Sequence, residues 1–158
     1  MMDQFLLAHG AGQSGDELLD DCLNQLGDIP PEANFGFLYL SDQLAESAAS
    51  LIDRLKDVTG ITAWVGTAGI GIIGGATEYY DMPAMAIMLA CFNEADYRLL
   101  PNLREDNAAL SAGLADWCSA NDFNVGLLHA DPATANLQPL LARLGDDIPA
   151  VFLIGGIS

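Results

Sequence analysis

The sequence predicts an α/β domain, with a mixed, largely parallel sheet flanked by helices and carrying a glycine-rich hairpin. Three observations carry that expectation. Apolar runs of strand length alternate with segments whose apolar residues recur at helical spacing. A Gly74-Gly75 pair separates two β-rich runs, as a tight hairpin turn requires. The run from Ala84 to Phe92 is apolar throughout, the pattern of a central strand covered on both faces.

The elements follow in order. Phe5 to Ala8 reads as a strand leading through His9-Gly10-Ala11-Gly12-Gln13-Ser14 into a helix with Leu18, Leu19, Cys22, Leu23 and Leu26 on one face and Gly27 as its stop. Ser14 and Glu17 have the spacing of a capping box. Phe35 to Leu40 is the second strand, after which Ser41-Asp42 opens a helix carrying Leu44, Ala48, Leu51, Ile52 and Leu55 and ended by Gly60. Ala63-Trp64-Val65 begins a third strand. Ile70 to Ile73 and Ala76 to Tyr80 form the hairpin arms. Leu110, Leu114, Trp117 and Cys118 mark a third helix, Val125 to Leu128 a strand ending at His129, and Leu137, Leu140, Leu141 and Leu144 a last helix stopped by Gly145. Val151 to Ile154 is the final strand, running into Gly155-Gly156-Ile157-Ser158. A domain rarely stops on such a strand, so the reading expects one domain over 1–158, truncated at its C-terminus.

A chain of 158 residues with 51% hydrophobic content is long enough to close one core. Five Lys and Arg against 22 Asp and Glu, a formal charge of −17, repel phosphate backbones and anionic headgroups, so neither nucleic acid nor membrane is expected as a partner. Cys22, Cys91 and Cys118 lack metal or redox spacing and read as reduced, buried residues. The start Met1-Met2-Asp3-Gln4 is unlike a signal peptide, and no apolar run approaches the roughly 18 residues of a membrane span, which points to the cytoplasm.

Three stretches echo one another: FLLAHGAGQS, GFLYLSDQLA and VGLLHADPAT each end an apolar strand in polar or small residues before a helix. Ligands of open α/β sheets bind outside the carboxyl ends of parallel strands, so His9, Ser41, Asp42, Thr67, His129 and Asp131 are expected to share one rim. His9, Thr67 and His129 would line a pocket there with Tyr79 near its mouth. Glu78-Tyr79-Tyr80-Asp81 sets phenols and carboxylates beside the hairpin, suited to a cationic or zwitterionic ligand, although an exposed strand and turn would read the same way. Met82, Met85 and Met88 read as core filling.

Other chemistries are present only in outline. Gly10-x-Gly12-x-x-Gly15 matches the dinucleotide fingerprint, but Asp16-Glu17 puts two carboxylates where pyrophosphate would sit. His9-Gly10-Ala11-Gly12 is similar to the oxyanion segment of α/β-hydrolases, yet no complete G-x-S-x-G elbow accompanies it; its nearest form, Gly156-Ile157-Ser158, ends the chain. Glu78, Asp81 and Asp131 could join a histidine around a metal, and nothing in their spacing selects them. The enzymatic alternatives are therefore a dinucleotide-binding oxidoreductase or a hydrolase-like enzyme using the His9-Gly10-Ala11-Gly12 loop. No cofactor is expected.

Taken together, AHGAG, GFLYLSD, WVGTAGIGIIGGATEYYDMPAMAIMLACF, HADP and FLIGGIS resemble the N-terminal FIST domain, in the family's order and over almost the whole chain. The resemblance implies a non-catalytic sensory module of intracellular signalling that binds a small molecule such as an amino acid. It implies as partner a C-terminal FIST domain or a signalling output domain. The family pattern falls on His9, Gly10, Gly12, Tyr39, Asp42, Gly66, Thr67, Gly69, Gly71, Glu78, His129, Asp131, Gly155 and Gly156, many of the glycines serving backbone geometry.

Overall fold

A computed structural model describes residues 5–100, 108–148 and 151–157. The fold is mixed α/β, and the chain groups into two compact units, Met1–Leu99 and Leu100–Ser158. Met1 to Gln4, the side chain of Leu110, and Ser158 lie outside the described residues.

The first unit runs β1 (Phe5–Ala11), α1 (Gly15–Leu26), β2 (Phe35–Ser41), a 3-10 helix (Asp42–Ser47), α2 (Ala48–Thr59), β3 (Ala63–Gly69), β4 (Gly71–Gly74), β5 (Thr77–Tyr80) and β6 (Ala84–Ala90). Four strands form one sheet in the order β1-β6-β2-β3. β6 is antiparallel to both its neighbours, while β2 and β3 are parallel. Consequently β1, β2 and β3 all point one way, and the apolar run at Ala84 occupies the interior of the sheet. Its residues are nearly all buried, which is why no polar alternation is visible there.

The sheet has two different faces because side chains alternate along each strand. Ala8, Leu38, Leu40, Met85, Ile87 and Leu89 face α1 and α2, and pack with Leu18, Leu19, Cys22, Leu51 and Leu55 into the main core. On the other face Ala84 and Ala86 meet Ile72 of β4, with Tyr39 and Tyr79 packed around them. The β4–β5 hairpin thus lies over the face that the helices leave open.

Several local expectations need correction. Ser14 does occupy the N-cap of α1, but its side chain makes no capping bond, so the Ser14–Glu17 box does not form. Instead Arg54 of α2 pairs with Asp16 and Asp20 of α1, which links the acidic side of α1 to the neighbouring helix. The segment after Ser41 starts as a 3-10 helix and becomes α-helical only at Ala48. The hairpin turn is Gly75-Ala76, one residue later than the glycine pair suggests, because Gly74 still pairs with Thr77. Cys91 is exposed, unlike Cys22 and Cys118. Met85 is fully buried as core filling, whereas Met82 is 43% exposed.

The second unit contains α3 (Ala108–Ser119), β7 (Asn124–Ala130), α4 (Leu137–Asp147) and β8 (Val151–Ile157). β7 and β8 are parallel partners joined through α4. α4 continues through Gly145, and β8 continues through Gly155 and Gly156, so neither glycine run acts as the stop it resembles in sequence. Among the described residues no helix is long and apolar enough to cross a membrane.

Candidate functional site

The register of the first sheet sets the candidate residues in a line. His9 on β1 is the partner of Ala86 on β6, Ala86 is the partner of Tyr39 on β2, and Tyr39 is the partner of Thr67 on β3. Residues in register share a face, so His9, Tyr39 and Thr67 all belong to the face opposite the helices, with the methyl group of Ala86 between the first two. At about 4.8 Å per strand, His9 and Tyr39 stand roughly 10 Å apart and His9 and Thr67 roughly 14 Å. A molecule the size of an amino acid spans one of these intervals, not the whole row.

The hairpin completes one end of the row. The Tyr79 hydroxyl lies 2.7 Å from His9 Nδ1, the two groups sharing a proton in one hydrogen bond, with ring centroids 5.7 Å apart. The imidazole is seated against the hairpin backbone: a Cβ on Gly74 would overlap His9 Cβ and Cγ and come within 2.9 Å of Cδ2, and one on Gly75 would lie 3.1 Å from Nε2. Glycine at these places is a steric requirement of the imidazole. The His9 backbone N–H, on the edge strand β1, donates to Gln25 Oε1 at 3.2 Å, so α1 holds the strand at the same residue. Burial raises the Tyr39 phenol above its ordinary pKa and keeps it a neutral donor.

The remaining expected residues divide by place. Ser41 is buried, and its hydroxyl oxygen accepts the Ala84 backbone N–H at 2.9 Å, which ties the end of β2 to the start of β6. Asp42 is exposed at the start of the 3-10 helix. Glu78 is exposed and paired with Ile73, on the hairpin face opposite Ile72 and Tyr79. Gly10 and Gly12 are packed by Leu18 of α1, Gly12 leaving 3.1 Å to Leu18 Cγ, so their smallness serves strand–helix contact. The Gly10-to-Gly15 motif also lacks its usual setting, since among the described residues β1 pairs only with the antiparallel β6. Along the edge strand β3 a cleft of about 410 Å³ is lined by Leu40, Ile52, Lys56, Trp64, Gly66 and Thr67.

In the second unit His129 is the register partner of Gly156. Burial lowers its pKa, so the neutral imidazole is favoured. Asp131 Oδ1 accepts the Ala133 N–H at 2.7 Å, and the Asp131 carbonyl accepts the Thr134 N–H at 2.9 Å. The turn that the Ala-Asp-Pro sequence predicts is therefore made.

Sequence reasoning missed Gly74, Gly75 and Gln25 as partners of His9, and Arg54 as the partner of Asp16 and Asp20. No short-range signal marks these contacts, because each joins residues far apart in the chain.

The FIST N domain family matches residues 34–158, from just before β2 through the second unit. The chain belongs to the FIST N family. FIST domains are sensory, signal-transduction domains, and the matched range takes in Tyr39, Thr67, Tyr79 and His129 while β1, with His9, precedes it. Two Mycobacterium tuberculosis proteins, each named only as uncharacterized, MT0656 of strain CDC 1551 and Rv0628c of strain H37Rv, are 28% identical to this FIST chain over 112 residues. That alignment covers 71% of this chain and 29% of theirs, so the chain spans under a third of the length of the relatives it matches.

Proposed function

We propose that this FIST domain senses a small polar molecule, of which an amino acid is the leading candidate, and that the molecule binds on the sheet face opposite the helices, along the row of His9, Tyr39 and Thr67 beside the β4–β5 hairpin. The observation that carries the reading is the in-register row of these three side chains with Tyr79 bonded to His9. An imidazole with one donor and one acceptor, two phenols and an alcohol can hold both an ammonium and a carboxylate group. Ala86 and Ile72 supply apolar surface beside them.

The reading is non-catalytic. His9 is engaged with a phenol, and the Ser41 hydroxyl at the end of β2 is used in the fold. Signalling would follow from competition: a ligand that hydrogen-bonds His9 or Tyr79 loosens or tightens the hairpin on the sheet. The readout would pass to a C-terminal FIST domain or an output domain within a longer cytoplasmic protein. Both units are read as parts of one FIST N-type domain, because the family match crosses from one into the other.

The test is calorimetric titration of the chain with each common amino acid, repeated for His9→Ala, Tyr39→Phe and Thr67→Val. Loss of one hydrogen bond of ~0.5–1.5 kcal/mol weakens binding about two- to tenfold per variant. Amino acids that fail to bind, or bind equally to all three variants, would remove this site from consideration.

A further inference from the structure

The two parallel strand pairs are built alike in detail. In the first, a Cβ on Gly66 would overlap the Leu38 carbonyl oxygen and lie 2.7 Å from its carbon and 3.1 Å from the Leu38 nitrogen; in the second, a Cβ on Gly155 would meet Leu128 at the same atoms and distances. Two residues before these leucines on the same strands, Gly36 makes room for the ring of Trp64, leaving 2.7 Å to its Cδ2, and Gly126 makes room for Leu153, leaving 2.6 Å to its Cδ2. Each pair therefore carries a glycine on the first strand under a large side chain of the second, and a glycine on the second strand against a leucine carbonyl of the first. Parallel pairing does not require either contact, so their joint recurrence marks one supersecondary design used twice.

The connecting segments agree as well. From Asp42, Leu51, Ile52, Arg54 and Leu55 follow at the same intervals as Leu140, Leu141, Arg143 and Leu144 from Asp131. The helix N-caps, Ser47 and Asn136, also stand equally far from those aspartates. Only one residue is lost, between the leucine that meets the glycine and the aspartate: Leu38 stands four positions before Asp42, and Leu128 three before Asp131. Superposing the two designs on their glycine contacts places His129 where the first unit has Tyr39, and Gly156 where it has Thr67.

We propose that the second unit carries a second binding position of the same kind, formed by His129 and the open place at Gly156, for another molecule of the small hydrogen-bonding class. Among the described residues a Cβ at Gly156 would meet nothing within 4 Å, so a ligand atom fits there beside the imidazole. The imidazole supplies the donor and acceptor that Tyr39 supplies in the first unit. This inference rests on the ligand reading of the first unit, and extends it to a stoichiometry of two per chain.

The chain's two histidines make the test direct. Both imidazoles are followed by ¹⁵N-detected NMR of the whole chain, assigned with His9→Gln and His129→Gln, while a mixture of the common amino acids is added. Shifts at both, with the His129 shift lost and the stoichiometry halved in Gly156→Val while His9 still responds, are the expected result. Gly156→Val extends into open space, so the variant keeps the fold, which the unchanged His9 response verifies. A response at His9 alone overturns the second position and leaves the first-unit site standing. A response at His129 alone that Gly156→Val abolishes supports the second position and sinks the first. Silence at both overturns both.

Discussion

Substituting Gly74 by alanine tests the seat of His9 directly. The added Cβ would overlap His9 Cβ and Cγ and approach Cδ2 to 2.9 Å. Because Cβ is fixed to the β1 backbone, rotation of the ring cannot relieve the overlap; the hairpin must lift or β1 must shift. Overpacking of this kind costs about 1–3 kcal/mol. Displacing the ring also forfeits the 2.7 Å bond to the Tyr79 hydroxyl, worth ~0.5–1.5 kcal/mol. The expected destabilisation is therefore about 2–4 kcal/mol, a large part of a small domain's ~5–15 kcal/mol. In a His9→Gly background, which removes Cβ as well as the ring, the obstruction is gone, and Gly74→Ala becomes neutral or gains ~0.5–1 kcal/mol from replacing a strand glycine. The assay is a double-mutant cycle by urea unfolding, followed through Trp64 fluorescence in a Trp117→Phe chain so that the first unit is reported. A cycle that is additive within ~0.5 kcal/mol would show that His9 and Gly74 do not touch, and would refute the hairpin seat.

Four further outcomes follow from the same structure. At about pH 8, Ellman's reagent should label Cys91 rapidly and leave Cys22 and Cys118 slow, because reactivity needs an accessible thiolate. Burial, followed by the charge of Asp21, pushes the Cys22 thiol up to about 11, and burial also raises Cys118; rapid labelling that survives Cys91→Ser would contradict this. His129 has a folded pKa below its ordinary 6.5, so the unfolded chain binds the proton more readily, and the stabilisation is present above about pH 6.5 and lost as pH falls from there through the lower folded pKa. Thermal unfolding of His129→Gln should show a shallower loss between neutral and acidic pH, and an unchanged slope would exclude the imidazole as its source. Ser41→Ala leaves the buried Ala84 N–H without its acceptor, which should cost about 1–3 kcal/mol in chemical denaturation. NAD, NADP and FAD should not raise the melting temperature, given the carboxylates of Asp16 and Glu17 at the start of α1; saturable binding weakened at Gly12 would restore the oxidoreductase alternative.

Much of the fold was legible in the sequence wherever the signal is local. Leu18, Leu19, Cys22 and Leu26 repeat at helical spacing and are the buried face of α1. The unbroken apolar run at Ala84 is a strand covered on both faces, and Gly27 and Gly60 end their helices because a chain termination needs only neighbouring residues. The identities of His9, Thr67 and Tyr79 as candidates were also written in strand ends and in the polar residues beside the hairpin, while Tyr39 entered only through the family resemblance. What the tertiary structure alone decided is how these meet. Insertion of β6 between β1 and β2 sets the row through Ala86, and strand order is a choice among long-range pairings that no local pattern encodes. Gly74 and Gly75 matter because of an imidazole on a distant strand, and Arg54 replaces the expected capping box because two helices lie side by side. The sequence therefore determines which segments are strands, helices and turns and which residues carry chemistry, through propensity and period. Their register and faces were left to packing, where free energy is gained only after the chain has closed on itself.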